Sequence, residues 1–202
     1  MLFERGALVE AVANAPVLRY GALDRAHLTK HLLRLAKRVG VGRVTMRELA
    51  AEAGTAASSV YYHVRDKREL LDLLIESVLA QIEVPDEGDW ESRLVVLYMN
   101  AWKVLVEVPG IAALLQEHAH TAAAAEMDRA SRGILRESGL NAERFDAAHA
   151  TLYVHLLGSV QLEHIRRAGA TADGPSDGAF AYGLRLILTG LRNELEHGSG
   201  AS

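Results

Sequence analysis

Residues 45–67 read TMRELAAEAGTAASSVYYHVRDK, and this stretch decides the fold. Thr45 and Glu48 stand at capping-box spacing, so the hydroxyl can take the amide three residues on while the carboxylate reaches back. Met46, Leu49, Ala50 and Ala53 then recur at helical intervals. Gly54 stops that helix where the chain needs a left-handed residue, a conformation open to glycine without a Cβ clash. A second helix over roughly residues 56–63 turns Val60 inward. Asp66 and Glu69 repeat the capping spacing and start a longer helix. Two short helices across a tight turn, with a third behind them, make a helix-turn-helix, whose second helix lies in the DNA major groove.

Working outward, a helix from about Asp24 to Val39 carries Leu28, Leu32, Leu35 and Ala36 as its inner stripe and ends at Gly40. The helix begun at Asp66 runs to about Ile82, with Leu70, Leu71, Leu74, Ile75, Val78 and Leu79 on a wide apolar face. Glu83 to Asp89 is acidic, contains Pro85 and Gly88, and reads as a connection. From Trp90 the helical period resumes, predicting helices at about 90–107, 110–118, 122–138, 142–168 and 177–196. Pro109, Gly139-Leu140-Asn141 and the run Gly169 to Ser176 are the breaks. There is no strand pattern, internal repeat or coiled-coil heptad, so the fold class is all-α.

Half of the 202 residues are hydrophobic, enough for a packed core, and the absence of cysteine excludes disulfides and thiolate metal sites. The first residues, with Glu4 and Arg5 in a weakly apolar run, do not resemble a signal peptide. No uninterrupted apolar run of about 18 residues predicts a membrane span, so a cytoplasmic protein with no membrane partner is expected. The net charge of −4 speaks against nucleic acid until its distribution is read. Between Asp24 and Lys67 stand nine Lys or Arg and four acids, a local +5 that leaves −9 for everything else. A basic head on an acidic body is the footprint of a DNA-binding domain joined to something that does not bind DNA.

The order T-x-x-x-L-A-x-x-A-G (Thr45, Leu49, Ala50, Ala53, Gly54), then Val60 to Val64 as V-Y-Y-H-V, then Asp66, Lys67 and Leu70, resembles the TetR family of transcriptional regulators, and its tetracycline-repressor branch most. A weaker likeness continues at Asp89-Trp90 and at Val108-Pro109-Gly110. The resemblance implies a homodimeric, ligand-responsive regulator, a repressor on a palindromic operator. It divides the chain into an extension at 1–22, a helix-turn-helix DNA-binding domain at 23–82, an effector-binding and dimerisation body at 83–197, and a disordered tail at 198–202. It also implies a four-helix dimer interface from the last two helices. Leu152, Leu156 and Val160 on one, with Leu184, Ile187, Leu188 and Leu191 on the other, would form the seam; Gly158 and Gly183 or Gly190 would allow close approach.

By the same resemblance Arg47 reaches a base edge or a phosphate, and Tyr61, Tyr62, His63 and Lys67 contact the DNA backbone. Adjacent helical residues diverge by about 100°, so the alternative for one of the two tyrosines is a place in the core. Thr45 caps its helix and presents amides to a phosphate. The family places a Ser or Thr cap and a long polar residue where this chain has Ala56 and Ala57; Thr55 is the substitute cap. With Ser58 and Ser59 following, four short residues predict few bidentate base contacts.

In the body, Tyr98 and Trp102 on one helix and His149 and Tyr153 on another could line a cavity for a mostly apolar small molecule, or be ordinary core. His118 and His120 point nearly opposite ways on a helix, His149 and His155 fall on different faces, and Glu117 with His120 lacks a third ligand, so no metal and no cofactor is expected. No G-x-S-x-G, phosphate loop or H-E-x-x-H occurs, so no catalytic residue is assigned. The rival readings are a helical interaction module that has lost DNA binding and an all-helical small-molecule enzyme or carrier.

Overall fold

The computed structural model describes residues 24–118, 120–169 and 176–198; the extension at 1–22 and the tail beyond 198 lie outside the described residues. Helices and their connections make up the described chain, with no strand among these residues. They are α1 (Arg25–Val39), a 3-10 turn (Val41–Arg43), α2 (Met46–Glu52), α3 (Ala57–His63) and α4 (Lys67–Leu79). After the acidic connection come α5 (Trp90–Leu105), α6 (Ile111–Glu117), α7 (Ala122–Arg136), α8 (Ala142–Ala168) and α9 (Ser176–Gly198). No helix of the described residues is long and apolar enough to cross a membrane.

Side-chain caps start most of these helices. Asp24, Thr45, Asp66, Asp89, Thr121 and Asn141 each accept from the amide three residues on, satisfying a donor the helix leaves unpaired. At α4 the return half of the capping box is displaced by one residue: the Glu69 carboxylate accepts from Arg65 N–H at 2.8 Å.

A single apolar cluster runs through head and body. Leu28, Leu32, Leu35 and Ala36 of α1 are fully buried, as the sequence stripe predicts. α4 buries Leu70, Leu74, Ile75 and Val78 completely, and packs on α1 of the head and on α5, α6 and α7 of the body. A second joint lies at the turns. Val41 N–H donates to Pro109 C=O at 2.8 Å, tying the head to the start of α6. Gly40 (φ +79°) and Gly110 (φ +89°) flank this contact.

The expected dimer seam needs correction. Leu152 and Val160 of α8 and Leu184 and Leu188 of α9 are at most 1% exposed within one protomer, and Leu156 faces a cavity. They hold α8 to α9 and the body together. The unburied apolar stripe is a different one: Val154, Leu162 and Ile165 on α8, and Tyr182 and Leu186 on α9. The helices carry apolar residues on two faces, so periodicity alone did not separate the inner from the outer. Gly158 and Gly190 fall on the outer stripe with open space above them, whereas Gly183 is occupied from inside, its missing Cβ replaced by the His155 ring.

A Cβ at Gly40 would sit 3.2 Å from Pro109 C=O, in a backbone conformation that L side chains resist. Gly40→Ala is expected to lower stability by about 1–3 kcal/mol in chemical denaturation. Gly42→Ala, with open space around it, should leave stability unchanged or slightly raised. Equal midpoints for the two variants would mean the turn contact does not constrain the fold.

Candidate nucleic-acid interface and effector cavity

The turn between α2 and α3 is set by backbone chemistry. Gly54, at φ +62°, sends its N–H to Ala51 C=O, and Thr55 N–H reaches back to Ala50 C=O at 2.9 Å. This paired closure is a Schellman cap, and it commits Thr55 to ending α2. Thr55 stands one residue before the cap position of α3, a correction to the sequence reading. The cap position falls to Ala56, which has no side-chain acceptor to offer, so the first amides of α3 stay open.

α3 presents a short polar face. Val60 is fully buried and Val64 nearly so, fixing the inward side one turn apart. Ala56 and Ser58 are exposed, while Ala57, Ser59 and His63 are half-buried. Tyr61 and Tyr62 are 55% and 87% exposed. Neither tyrosine enters the core, because the valines already fill the inward positions. Tyr62 stands edge-on to His63, ring centroids 5.3 Å apart.

Cations around this face divide into paired and free. Arg34 and Arg38 both converge on Glu52, and Arg65 on Glu69. Arg47 and Lys67 are exposed and form no ion pair among the described residues. Thr45 is exposed at the start of α2, its hydroxyl accepting from Glu48 N–H at 3.1 Å. The Thr45 O–H, Arg47, the open end of α3 and Lys67 thus offer donors whose own fold leaves them uncommitted.

The body holds a cavity of about 500 Å³ between α4, α5, α6, α7 and α8. Leu79, Ile82, Leu97, Leu105, Leu115, Met127, Leu156 and Leu157 supply apolar walls. Tyr98, His149 and Tyr153 line it. Trp102 does not. It stacks on Phe180 of α9, centroids 5.7 Å apart, and Phe180 stacks in turn with His155. The cavity face of α5 runs through Leu97, Tyr98, Ala101 and Leu105. Trp102, about 100° round from Ala101, faces α9.

Asp128, Ser131 and Arg132 of α7 also line the cavity and escaped the sequence reading. The signal was present: Ser131 interrupts an inner stripe of Met127, Ile134 and Leu135, and Asp128 stands four residues before Arg132. Tyr98 Oη and Ser131 Oγ share a hydrogen bond of 3.0 Å, and burial pushes the Tyr98 phenol up to about 12. Burial lowers the His149 imidazole, with Arg132 adding to the effect and Asp128 and Asp146 opposing it. Between head and cavity, His118 at the end of α6 bonds Asp72 of α4 at 2.7 Å. Glu117 and His120 line a shallow depression with Lys67 and Arg68, and no three His, Asp or Glu side chains gather to hold a metal among the described residues.

Residues 28–74 match the family model described as bacterial regulatory proteins, tetR family. The chain is 30% identical over 152 residues to an HTH-type transcriptional regulator of Saccharopolyspora erythraea, across 72% of this chain and 63% of that protein's length. It is 29% identical over 188 residues to the tetracycline repressor protein class A from transposon 1721 of Escherichia coli, across 79% of this chain and 86% of that one. A TetR from Acinetobacter baumannii AYE, solved in complex with minocycline, superimposes with a TM-score of 0.71 at 25% identity, covering 86% of this chain and 98% of that chain. The chain belongs to the TetR family of bacterial regulatory proteins.

His149 and His164 are both held neutral, burial being the first cause in each. In the unfolded chain an imidazole takes its proton near pH 6.5. The unfolded state therefore binds more protons below that value, so this stability is complete above it and is lost as pH falls toward the lowered folded values. The melting temperature should drop from neutral pH into the mildly acidic range, and His149→Asn should flatten part of the drop. An unchanged profile in that variant would show that His149 is solvated enough to titrate normally.

Proposed function

We propose that the chain is a ligand-responsive transcriptional repressor that leaves a palindromic operator when a small molecule fills the body cavity. The observation that carries this reading is the union, through α4, of a head with uncommitted cations and a body with an apolar cavity. α4 begins at Lys67, beside the recognition helix, and ends at Leu79, in the cavity wall. The relatives' names as transcriptional regulators favour this over a helical enzyme or carrier, and over an interaction module without DNA binding. A repressor that acts on DNA would operate in the cytoplasm.

On the operator, α3 enters the major groove. Thr45, Tyr61, Tyr62, His63 and Lys67 hold phosphates, while Ala56, Ala57, Ser58 and Ser59 bring the backbone close to the base edges. Arg47 supplies the one long donor, and alanine methyls can meet thymine methyls. One such head reads few base pairs, so two copies bind together, joined through the exposed stripes of α8 and α9. Release requires an effector that binds the released state more tightly, a coupling of about 1–3 kcal/mol in typical cases. Tyr98, His149 and Tyr153 contact that effector. Displacement of α4 then changes the spacing of the two recognition helices.

Lys67→Ala should weaken all duplexes alike and reduce the salt slope of log affinity by about 0.9. Arg47→Ala should cost about 1–3 kcal/mol on the operator and less on random duplex. Equal losses on both would make Arg47 a phosphate contact. If neither variant changed affinity on any duplex, the head would not be a DNA-binding surface.

Leu162→Glu places a carboxylate in the exposed α8 stripe and should give a folded monomer by light scattering, with helicity intact. Leu188→Glu should instead unfold the protomer, since Leu188 is 1% exposed within it. A dimeric Leu162→Glu protein would move the interface elsewhere.

A further inference from the structure

Resting on the reading of the body cavity as the effector site, we propose that it selects a basic amphiphile: an apolar skeleton carrying one protonated amine, seated on Asp128. The skeleton has a dry home, because the walls are aliphatic and the deep phenol Tyr98 already shares its hydrogen bond with Ser131. Polar capacity is concentrated at the mouth, where the Asp128 side chain is 51% exposed and Tyr153 is 40% exposed.

Two carboxylates compete for the one cation of the lining. Arg132 is the cation there, and two carboxylates hold it: Asp128 at 3.1 Å and Asp146 at 2.7 Å. Arg136 lies over the Phe145 ring and does not line the cavity. Asp146 lies outside the lining as well, but it shares the Arg132 guanidinium with Asp128, so the cation of the lining is not committed to Asp128 alone. The free oxygen of Asp128, Oδ1, stands 3.6 Å from His149 Nε2, beyond hydrogen-bond reach. His149, held neutral by burial, carries a lone pair on one ring nitrogen. The Asp128 charge is felt by the neighbouring phenols, while at His149 Arg132 outweighs it. After burial, Asp128 is a further cause that raises the phenols of both Tyr98 and Tyr153.

An ammonium group has donors and no acceptor, which matches a carboxylate oxygen beside a neutral imidazole. The hydrogen bond is charge-assisted and sits at the edge of an apolar chamber, where it is stronger than between neutral groups. A carboxylate of the same skeleton meets a like charge. An alcohol satisfies the oxygen without the charge term. The ranking ammonium, alcohol, carboxylate follows.

The test is calorimetric titration of the full-length protein at neutral pH with naphthylethylamine, naphthylethanol and naphthylacetate. Naphthylethylamine should bind about tenfold tighter than naphthylethanol, with naphthylacetate weakest. Asp128→Asn, which keeps a hydrogen-bonding oxygen for Arg132, should bring the amine down to the alcohol and leave the alcohol unchanged. The proposal is overturned if the acetate binds as tightly as the amine, if amine and alcohol are equal in the wild type, if Asp128→Asn weakens all three alike, or if none binds. The wild-type ranking stands even where the variant fails to fold. Failure of the repressor reading shows separately, as loss of operator binding in a mobility-shift assay, and does not touch this ranking.

Discussion

Helix α4 must be buried at both ends by different neighbours, and the rest of the structure follows from that constraint. Near its start, Leu70 and Leu74 lie under α1, whose Leu28, Leu32 and Leu35 are fully covered. Near its end, Leu79 and the following Ile82 stand in the wall of the body cavity. A rigid helix of 13 residues cannot satisfy both packings independently. Close-packed interiors transmit displacement and do not absorb it, so repacking at Leu79 is felt at Lys67. The head and body are distinct in charge and separate in chain order, yet their apolar cores are one cluster.

Two polar contacts reinforce that union from the side. The backbone bond from Val41 to Pro109 fixes the end of α1 against the start of α6. The Asp72–His118 pair fixes α4 against the other end of α6, with Leu115 of the same short helix facing the cavity. Glycines at residues 40 and 110 suit the first contact, since the backbone takes positive φ at both and a Cβ at Gly40 would crowd Pro109. α6 is therefore held at both ends by the head while its middle touches the space a ligand would fill.

Much of this was legible in the sequence, for definite reasons. Caps at Asp24, Thr45, Asp66 and Asp89 mark helix starts because side-chain oxygens are the nearest partners for open amides. Gly54 marks the turn because only one residue type closes it without strain. What the sequence could not separate were faces. α8 is apolar on two sides, and nothing in a one-dimensional pattern says which side meets its own protomer. Trp102 and Tyr98 share a helical stripe, yet a small change in helix rotation sends one to α9 and the other to the cavity. Asp128 and Arg132 were hidden by their ordinariness: an i, i+4 ion pair is the usual sign of a solvated face, and only the packing of α7 against α5 and α8 turns this one into a cavity rim.

The recognition helix poses the remaining physical question, which is how four short residues specify a site. Short side chains do not reach far, but they let the helix backbone approach. An uncapped start then brings open amides and a partial positive charge to the phosphates. Affinity on this design comes from position and charge: Arg47 and Lys67 lie around the helix with no ion pair to give up among the described residues. A pre-paired cation would have to break an ion pair before meeting DNA, as Arg34 and Arg38 would at Glu52. Sequence discrimination is then weak per head and must come from repetition. Two heads at fixed spacing would multiply a small preference, and in the dimer proposed above that spacing is set far away, by the outer faces of α8 and α9. Specificity in such a protein depends on the geometry of its dimer as much as on the chemistry of its recognition helix, so a ligand that alters geometry alone is enough to release it.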